Sequence, residues 1–400
     1  MKFPVYLDYH STTPVDPEVF EAMQPYFTNK FGNAASKSHS FGWEAQSAVE
    51  HSRKIIAECI NADPNEIIFT SGTTESINLA HLGIAEAYRT KGNQIITSAI
   101  EHDAILDSLM HLKSRGFEIT PLSVDKNGFI DLDQLRDSIS DDTIFVSIMT
   151  ANNEIGTINK IKEIGEICRS KNVLFHTDAA QAIGKIPFDV NSFNVDIASF
   201  SAHKIYGPKG IGVLFRRNKN PKVRFAPLMF GGGQENSLRP GTLNVPAIVG
   251  LGKACEICAE KMEKESERIR LLRNKLYQGL TSQLDDVMLN GSFENRLPGN
   301  LNLCFKYVKA ETLIMELRDI AVSTGSACTS TTLKPSHVLK AIGLSDQIAQ
   351  SSIRFGLGRY NTKEEIDFTI DRVVKTVKKL RNISPEFELK EESLQNLDKK

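Results

Sequence analysis

The chain has no excess of charge of either sign and no long apolar run. Its 48 Lys and Arg residues balance 49 Asp and Glu residues, which leaves a net charge of -1. The sequence has no pronounced basic stripe of the kind that binds nucleic acid. No window reaches the roughly 18 uncharged apolar residues that a membrane span requires. We therefore expect neither a nucleic acid partner nor a membrane partner.

Cysteine is scarce, and the first residues lack a targeting pattern. Six cysteines in 400 residues are too few for a disulfide framework, so free thiols are expected. Residues 1–14 have neither the basic end and apolar run of a secretory signal nor the Arg-rich amphipathic pattern of an organellar presequence. These features predict a cytoplasmic protein.

Short apolar runs alternate with longer amphipathic stretches through the first two thirds of the chain. Residues 94–98 and 143–149 are typical strands, and residues 102–114 show a helical period between them. Strands separated by helices need crossover connections, so the pattern predicts an α/β domain with a mostly parallel sheet. Residues 246–282 indicate one or two long helices. Shorter strands follow and predict a smaller α+β domain.

The predicted organisation has four parts. The first is an N-terminal segment that packs with the small domain, and the last is a charge-rich tail with few large apolar groups. In chain order the parts are the segment 1–14, the large domain 15–255, the small domain 256–383 and the tail 384–400.

The most informative segment is an apolar strand that ends in Ser201, Ala202, His203 and Lys204 before a glycine-rich turn. Ligands of open α/β sheets bind outside the carboxyl ends of the strands, so the Lys204 amine could reach a cofactor there. Ser201 and His203 can donate hydrogen bonds to an anion. A solvated loop lysine is the alternative interpretation of Lys204.

Another strand ends at Asp178 and continues to Gln181. A buried carboxylate needs a partner, because an uncompensated one costs several kcal/mol. A pyridinium nitrogen would supply this partner, and an aspartate–pyridinium pair with a lysine Schiff base is the expected protein frame for pyridoxal 5'-phosphate (PLP). A helix N-cap aspartate is the alternative.

Three more strand ends carry polar side chains. Thr73 and Thr74 begin a helical pattern, where backbone N–H groups can bind an anion, although a plain N-cap gives the same pattern. His102 and Asn153 follow two other strands. His102 could stack on a planar ring or shuttle protons, and Asn153 could hydrogen-bond a ring oxygen of a cofactor or a substrate carboxylate. All these groups lie at one edge of one predicted sheet.

The ordered motifs resemble those of the cysteine desulfurases, which are fold-type I PLP enzymes of the class V aminotransferase superfamily. The resemblance is to the iron–sulfur-cluster-assembly and nitrogen-fixation (IscS/NifS-type) branch, and it covers nearly everything before the tail. The motifs are YLDY (6–9), FGN (31–33), TSGTTES (70–76), EH (101–102), NNEIG (152–156), HTDAAQ (176–181), SFSAHKIYGPKGIG (199–212), GGGQE (231–235), RPGTLN (239–244), STGSACTS (323–330) and SSIRFGLGR (351–359).

The resemblance implies a PLP-dependent cysteine desulfurase that converts L-cysteine to L-alanine. It also implies a homodimer in which the partner subunit completes the phosphate site, and a sulfur acceptor such as an iron–sulfur scaffold protein. The implied roles are Lys204 as the Schiff-base lysine and base; His102 stacked on the ring and moving protons; Asp178 at the pyridine nitrogen; Gln181 at the phenolic oxygen; Thr73, Thr74, Ser201 and His203 at the phosphate, with Thr242 from the partner; and Asn153 and Arg354 at the substrate carboxylate.

Cys328 matches the sulfur-accepting cysteine of the family. Small and hydroxylated neighbours surround it in the sequence, which is typical of an exposed loop that presents a nucleophilic thiolate. Residues 329–336 fit the long-loop branch, whose cysteine can travel from the cofactor to an acceptor. The resemblance also implies that Cys328 can ligate a cluster transiently together with a partner. No resident metal site is expected.

The sequence departs from the family in three places, and three alternative functions are considered. Ala34 and Ala202 replace a usual proline and a common glycine, and the tail does not resemble the segment that grips the scaffold protein. A selenocysteine lyase or another class V enzyme such as an aminotransferase is the nearest alternative, and a non-catalytic sulfur carrier or scaffold is an alternative of another class. Cys255 and Cys258 have metal-site spacing but lie in a helical pattern with no second pair, so helix packing is favoured.

Overall fold

The computed structural model describes residues 2–325, 335–385 and 387–389. Among these residues the strands are β1 (Val5–Tyr6), β2 (Ile67–Thr70), β3 (Gln94–Ser98), β4 (Glu118–Leu122), β5 (Thr143–Ser147), β6 (Leu174–Asp178), β7 (Ile197–Ser201), β8 (Gly212–Arg216), β9 (Val287–Leu289), β10 (Asn300–Phe305), β11 (Ile320–Ala321) and β12 (Ser352–Gly356). The α-helices are α1 (Pro17–Met23), α2 (Pro25–Thr28), α3 (Ser40–Cys59), α4 (Thr73–Ala87), α5 (Asp103–Ser114), α6 (Leu132–Ser138), α7 (Ile161–Ser170), α8 (Val245–Thr281), α9 (Ala310–Glu316), α10 (His337–Ala341), α11 (Asp346–Ala349) and α12 (Lys363–Arg381).

A seven-stranded sheet forms the centre of the larger part, in the order β2-β8-β7-β6-β5-β3-β4. Every described pairing is parallel except those of β8, which is antiparallel to both of its neighbours. All residues of β3, β5, β6 and β7 are buried, as expected for a sheet that helices cover on both faces. The predicted α/β fold with a mostly parallel sheet is therefore confirmed.

The edge strand β4 is an element that the sequence analysis did not identify. Its sequence Glu-Ile-Thr-Pro-Leu contains a proline, and most of its residues are not fully buried. Proline cannot donate to the ladder and is tolerated at a sheet edge. The strand therefore lacks the apolar run by which the central strands were recognised.

The smaller part contains the antiparallel sheet β12-β10-β9 and the parallel pair β1-β11. A separate apolar core lies between these strands and helices α8, α9 and α12, and includes Leu276, Leu303 and Val373. The long helical pattern proves to be one helix of 37 residues, α8. Its first half packs in the core of the large sheet and its second half in the small core.

The N-terminal segment contacts both parts. Val5 pairs with Ile320 beside the small core, whereas the Thr13 N–H donates to the carbonyl oxygen of His203 beside the large sheet. The domain limits given above stay a prediction, and the limit at residue 255 falls inside α8. Most of the predicted tail lies outside the described residues. Within the part of the chain that is described, no helix is long and apolar enough to cross a membrane.

Candidate active site

A cavity of about 570 Å³ opens at the carboxyl ends of the parallel strands. This is the edge at which the sequence analysis expected polar side chains to meet, because parallel strands end on the same side of a sheet. The predicted site residues that line the cavity are Thr73, Thr74, His102, Asn153, Asp178, Gln181, Ser201, His203, Lys204 and Arg354.

Lys204 reaches the cavity from the end of β7 through a short 3-10 turn, Ala202–Lys204. Its Nζ donates hydrogen bonds to the carbonyl oxygens of His10 and Ser11, both at 2.7 Å. The N-terminal segment therefore forms one wall of the cavity. His10 and Ser11 directly follow the YLDY motif, but no sequence pattern predicted a site role for them.

Asp178 is the last residue of β6 and is buried. Its Oδ1 accepts the Ala180 N–H at 2.9 Å. Burial raises the pKa of the Asp178 carboxyl, and the charge of His102, the Ala180 N–H and the charge of Lys204 act in the opposite direction. A buried carboxylate at a cavity wall favours a cationic ligand group, such as a protonated ring nitrogen, which would supply the missing opposite charge.

The N-terminus of α4 forms the anion-binding end of the cavity. The helix begins after Gly72 without a side-chain cap, and the buried Thr73 Oγ1 has no hydrogen-bond partner within the described chain. A Cβ on Gly212 would lie 2.6 Å from the Cα of Gly72, so glycine at position 212 allows β8 to pass directly beneath this turn. Free N–H groups and hydroxyls at a helix N-terminus suit a phosphate.

Two further side chains border the anion-binding end. The Ser201 hydroxyl donates to the carbonyl oxygen of Ile211 at 3.2 Å, and its oxygen remains close to the cavity. His203 Nδ1 lies 3.1 Å from Thr12 Oγ1. Burial and the charges of Lys204 and Lys209 lower the pKa of His203 to about 4, so the ring is neutral at pH 7.

His102 is the N-cap of α5. Its Nδ1 accepts the Ala104 N–H at 3.1 Å, which places the ring proton of the neutral side chain on Nε2. The preceding residue, Glu101, is buried and accepts hydrogen bonds from Ser98 and from the N–H of Met149. Burial raises the pKa of Glu101 to about 8. The helix cap thus fixes the imidazole at the cavity wall with a defined tautomer.

Arg354 enters the cavity from β12 of the smaller part and is 1% exposed. One Nη donates to Asp8 and to the hydroxyl of Ser11, each at 2.8 Å, and the other donates to the carbonyl oxygen of Asn153 at 3.0 Å. Its Nε is buried without a hydrogen-bond partner in the described structure. Three of its five N–H groups thus donate to protein acceptors within the described structure, and they hold the guanidinium beside Asn153.

Two predicted residues do not line this cavity. Thr242 is exposed and lies outside it. Cys328 lies outside the described residues, in the segment 326–334. The residues on either side of that segment both contact the buried Glu154: the Ser336 hydroxyl donates to Glu154 Oε2 at 2.6 Å, and a Cβ on Gly325 would lie 2.6 Å from the same oxygen.

The described cysteines are buried or partly buried. Cys255 and Cys258 are buried in α8, which agrees with the helix packing favoured for this pair. Burial raises the pKa of Cys258 to about 12, so its thiol is a poor nucleophile at pH 7. Cys168 and Cys304 are buried, whereas Cys59 is only partly buried.

A model of the aminotransferase class V family matches residues 5–368. The chain belongs to this family. Members named cysteine desulfurase IscS include one from Rickettsia rickettsii (strain Iowa), which is 51% identical over 98% of this chain and 96% of its own length. Another, from Anaeromyxobacter sp. (strain Fw109-5), is 54% identical over 98% of this chain and 97% of its own length.

Solved structures of the family superpose closely on this chain. A protein described as NifS-like matches with a TM-score of 0.87 at 39% identity, covering 94% of this chain and 99% of its own. A structure described as SspA in complex with cysteine matches with a TM-score of 0.80 at 36% identity, covering 90% of this chain and all of its own. These matches confirm the resemblance to the cysteine desulfurases.

The family is PLP-dependent, and the residues of the cavity fit this cofactor. Thr73 Oγ1 is buried and unpartnered at the helix N-terminus, where a phosphate would fit. The Asp178 carboxylate is suited to the pyridine nitrogen, and the Lys204 amine lines the same cavity. Anion site, buried carboxylate and amine are the three groups that PLP requires of a protein.

Proposed function

We propose that this protein is a PLP-dependent cysteine desulfurase, which converts L-cysteine to L-alanine and passes the sulfur on as a persulfide of Cys328. The observation that carries the proposal is the set of Lys204, Asp178, His102 and Arg354 around one cavity. Similarity to proteins named cysteine desulfurase over 98% of the chain supports the same activity.

In this proposal each cavity residue contacts a different part of the cofactor. Lys204 binds it covalently, Asp178 faces its pyridine nitrogen, His102 stacks on its ring and Gln181 faces its phenolic oxygen. The phosphate-binding residues are Thr73, Thr74, Ser201 and His203. When bound, PLP supplies an electron-withdrawing ring that accepts the electron pair left on the substrate α-carbon.

The substrate carboxylate is assigned to Asn153 and Arg354. Arg354 lines the cavity beside Asn153, and a planar guanidinium is well suited to a carboxylate. This contact fixes the substrate so that its α-proton faces Lys204 Nζ, which removes it. We assign the handling of protons to His102, which presents its Nε2–H to the cavity because its Nδ1 accepts the Ala104 N–H.

Sulfur leaves the substrate by attack of the Cys328 thiolate on the substrate sulfur. A new sulfur–sulfur bond forms and the substrate Cβ–S bond breaks, with its electron pair retained on the substrate carbon. Protonation of that carbon yields alanine. The balance is L-cysteine plus thiol giving L-alanine plus persulfide, so no external oxidant or reductant is needed.

A homodimer is part of the proposal. Thr242 is exposed in the isolated chain. The connection between β8 and α8, which contains Thr242, also contains the exposed side chains of Leu228, Met229 and Phe230, and Phe230 is 87% exposed. Large exposed apolar side chains on one connection favour burial against another subunit. We propose that Thr242 of each subunit completes the phosphate site of its partner.

The sulfur acceptor is proposed to be an iron–sulfur scaffold protein or another thiol-containing acceptor. Relatives of this chain carry the name IscS. On the basis of this similarity we propose a role in iron–sulfur cluster assembly for this chain. Transient ligation of a cluster by Cys328 together with a partner is proposed on the same ground. The cytoplasmic location expected from the sequence stays a prediction.

The test is product analysis with purified protein loaded with PLP. L-Cysteine plus a dithiol reductant should give L-alanine and sulfide in equal amounts, without added keto acid. The same measurement on Lys204→Ala should give neither product. Formation of pyruvate or transfer of the amino group to a keto acid would instead support a lyase or an aminotransferase, and turnover of selenocysteine alone would support a selenocysteine lyase.

A further inference from the structure

A second lysine, Lys185, lies next to the cavity and has no role in the mechanism above. It follows Gln181 by four residues, and its Nζ donates to Gln181 Oε1 at 2.6 Å. The turn between them packs tightly on α8, because a Cβ on Gly184 would lie 2.4 Å from Cys258 Sγ. Gly184 has a φ of +70°, which glycine adopts without strain. Glycine at this position therefore allows the lysine to turn back towards the glutamine.

The contact with Lys185 distinguishes the oxygen of the Gln181 amide from its nitrogen. An ammonium group can only donate hydrogen bonds, so the atom it contacts at 2.6 Å must be the amide oxygen. The amide nitrogen then donates one N–H to the carbonyl oxygen of His10 at 2.9 Å. Within the described structure its second N–H has no protein acceptor, and Gln181 lines the cavity.

His10 contacts the same amide oxygen from the N-terminal segment. Its Nδ1 lies 3.0 Å from Gln181 Oε1, which fixes Nδ1 as the protonated ring nitrogen because the amide oxygen only accepts. The His10 carbonyl oxygen also accepts a hydrogen bond from Lys204 Nζ. Lys185, Gln181, His10 and Lys204 are thus joined by consecutive contacts.

We propose that Lys185 is a positioning residue, which holds the Gln181 amide so that an N–H, rather than the carbonyl oxygen, faces the phenolic oxygen of the cofactor. The inference rests on the proposed function, since it assumes PLP bound through Lys204. With the amide reversed, its oxygen would face the phenolic oxygen, and two acceptors would repel each other.

The surroundings of Lys185 disfavour its charged form. The side chain is half-buried, and burial together with the charges of Lys204 and Arg354 lowers the pKa of Lys185 to about 7, while Cys258 acts in the opposite direction. The other titratable groups beside it in a small adjoining pocket are Tyr9, His10, Tyr206 and Glu265. The orienting role belongs to the ammonium form, which has three N–H donors and no acceptor.

The expected consequence is a change in the proton affinity of the cofactor linkage. An N–H that donates to the phenolic oxygen stabilises the negative charge on that oxygen. The oxygen then attracts the proton on the Lys204 linkage nitrogen less strongly, so the pKa of the linkage nitrogen is lower. Loss of the correct amide orientation should therefore raise the pH midpoint of the cofactor's absorption change. We expect Lys185→Met to raise this midpoint by about one pH unit.

The experiment is a spectroscopic pH titration of the purified holoenzyme and its variants. Lys185→Arg retains a donor and should keep the wild-type midpoint. Lys91→Met is the matched control, because it removes an exposed lysine whose Nζ donates to the carbonyl oxygen of Asn172. Lys185→Ala is a second variant, for use if the methionine side chain is not accommodated. Gln181→Ala should raise the midpoint by itself.

The double variant Lys185→Met with Gln181→Ala decides whether the lysine acts through the amide. The proposal predicts no further shift from Lys185→Met in the Gln181→Ala background. An unchanged midpoint in both Lys185→Met and Lys185→Ala, or an equal shift with and without Gln181, would overturn it. A wild-type protein that retains no cofactor absorption after incubation with PLP would instead refute the proposed function.

Discussion

Replacing Asp178 by asparagine should reduce turnover while retaining the cofactor. Asparagine can still accept the Ala180 N–H that Asp178 Oδ1 accepts at 2.9 Å, so the change removes the charge and little else. Breaking a buried charge pair costs about 3–5 kcal/mol. Because about 1.4 kcal/mol corresponds to a factor of ten in rate, we expect kcat/KM to fall roughly 10²- to 10⁴-fold. Cofactor content should fall much less, because the phosphate contacts are unchanged.

The stability of the apoprotein should move in the opposite direction. Burial raises the pKa of Asp178 in the folded chain, so the folded state binds this proton more tightly than the unfolded state does. The contribution of this carboxyl to stability is therefore most favourable below its unfolded pKa and falls as the pH rises towards the folded value. At pH 7 asparagine removes that penalty, and the apoprotein Tm should be unchanged or higher.

Three measurements test this reasoning: alanine formation from L-cysteine, PLP content after denaturation, and the Tm of the apoprotein. Asp196→Asn is the matched control. Asp196 is also a buried carboxylate, but it precedes β7 at the amino end of the strand, away from the cavity at the carboxyl ends. Its neutralisation should leave turnover unchanged. Wild-type activity in Asp178→Asn, or a lower apoprotein Tm with cofactor and activity lost in parallel, would show that Asp178 is a structural residue.

The remaining predictions concern the attachment point, the sulfur acceptor and the subunit contact. Borohydride reduction and peptide mapping should label Lys204, and a label on Lys209, which also lines the cavity, would reassign the linkage. Cys328→Ala should bind PLP and change its spectrum with L-cysteine, but mass spectrometry should find no persulfide; an adduct on the buried Cys255 would contradict this assignment. Thr242→Ala should weaken PLP binding in a species that sediments as a dimer, whereas a fully active monomer would exclude a shared site.

The sequence predicted the strands that carry the site and the edge at which they end. The apolar runs at residues 94–98 and 143–149 are local patterns, and they became β3 and β5 with boundaries correct to within two residues. Parallel strands joined by helices end on one side of the sheet. Residues as far apart in the chain as Thr73 and Lys204 could therefore be assigned to one cavity before any distance was known.

The smaller part was predicted less completely. Its strands are short, and β11 has only two residues, so a local pattern carries little information. In the larger part, helix α3 and strand β4 were not identified from the sequence. The long helix α8 was recognised, but its passage from one apolar core to the other depends on which residues it contacts.

Only the tertiary structure decided how the N-terminal segment takes part in the site. Asp8 contacts Arg354 across 346 positions of sequence, and the carbonyl oxygen of His10 accepts a hydrogen bond from Lys204. The hydrogen bond of Lys185 with Gln181 spans only four residues, yet it too depends on a turn that α8 holds in place. A periodic pattern predicts which face of an element is buried. It gives no distance between elements, so pairings that depend on packing appear only when the chain is folded.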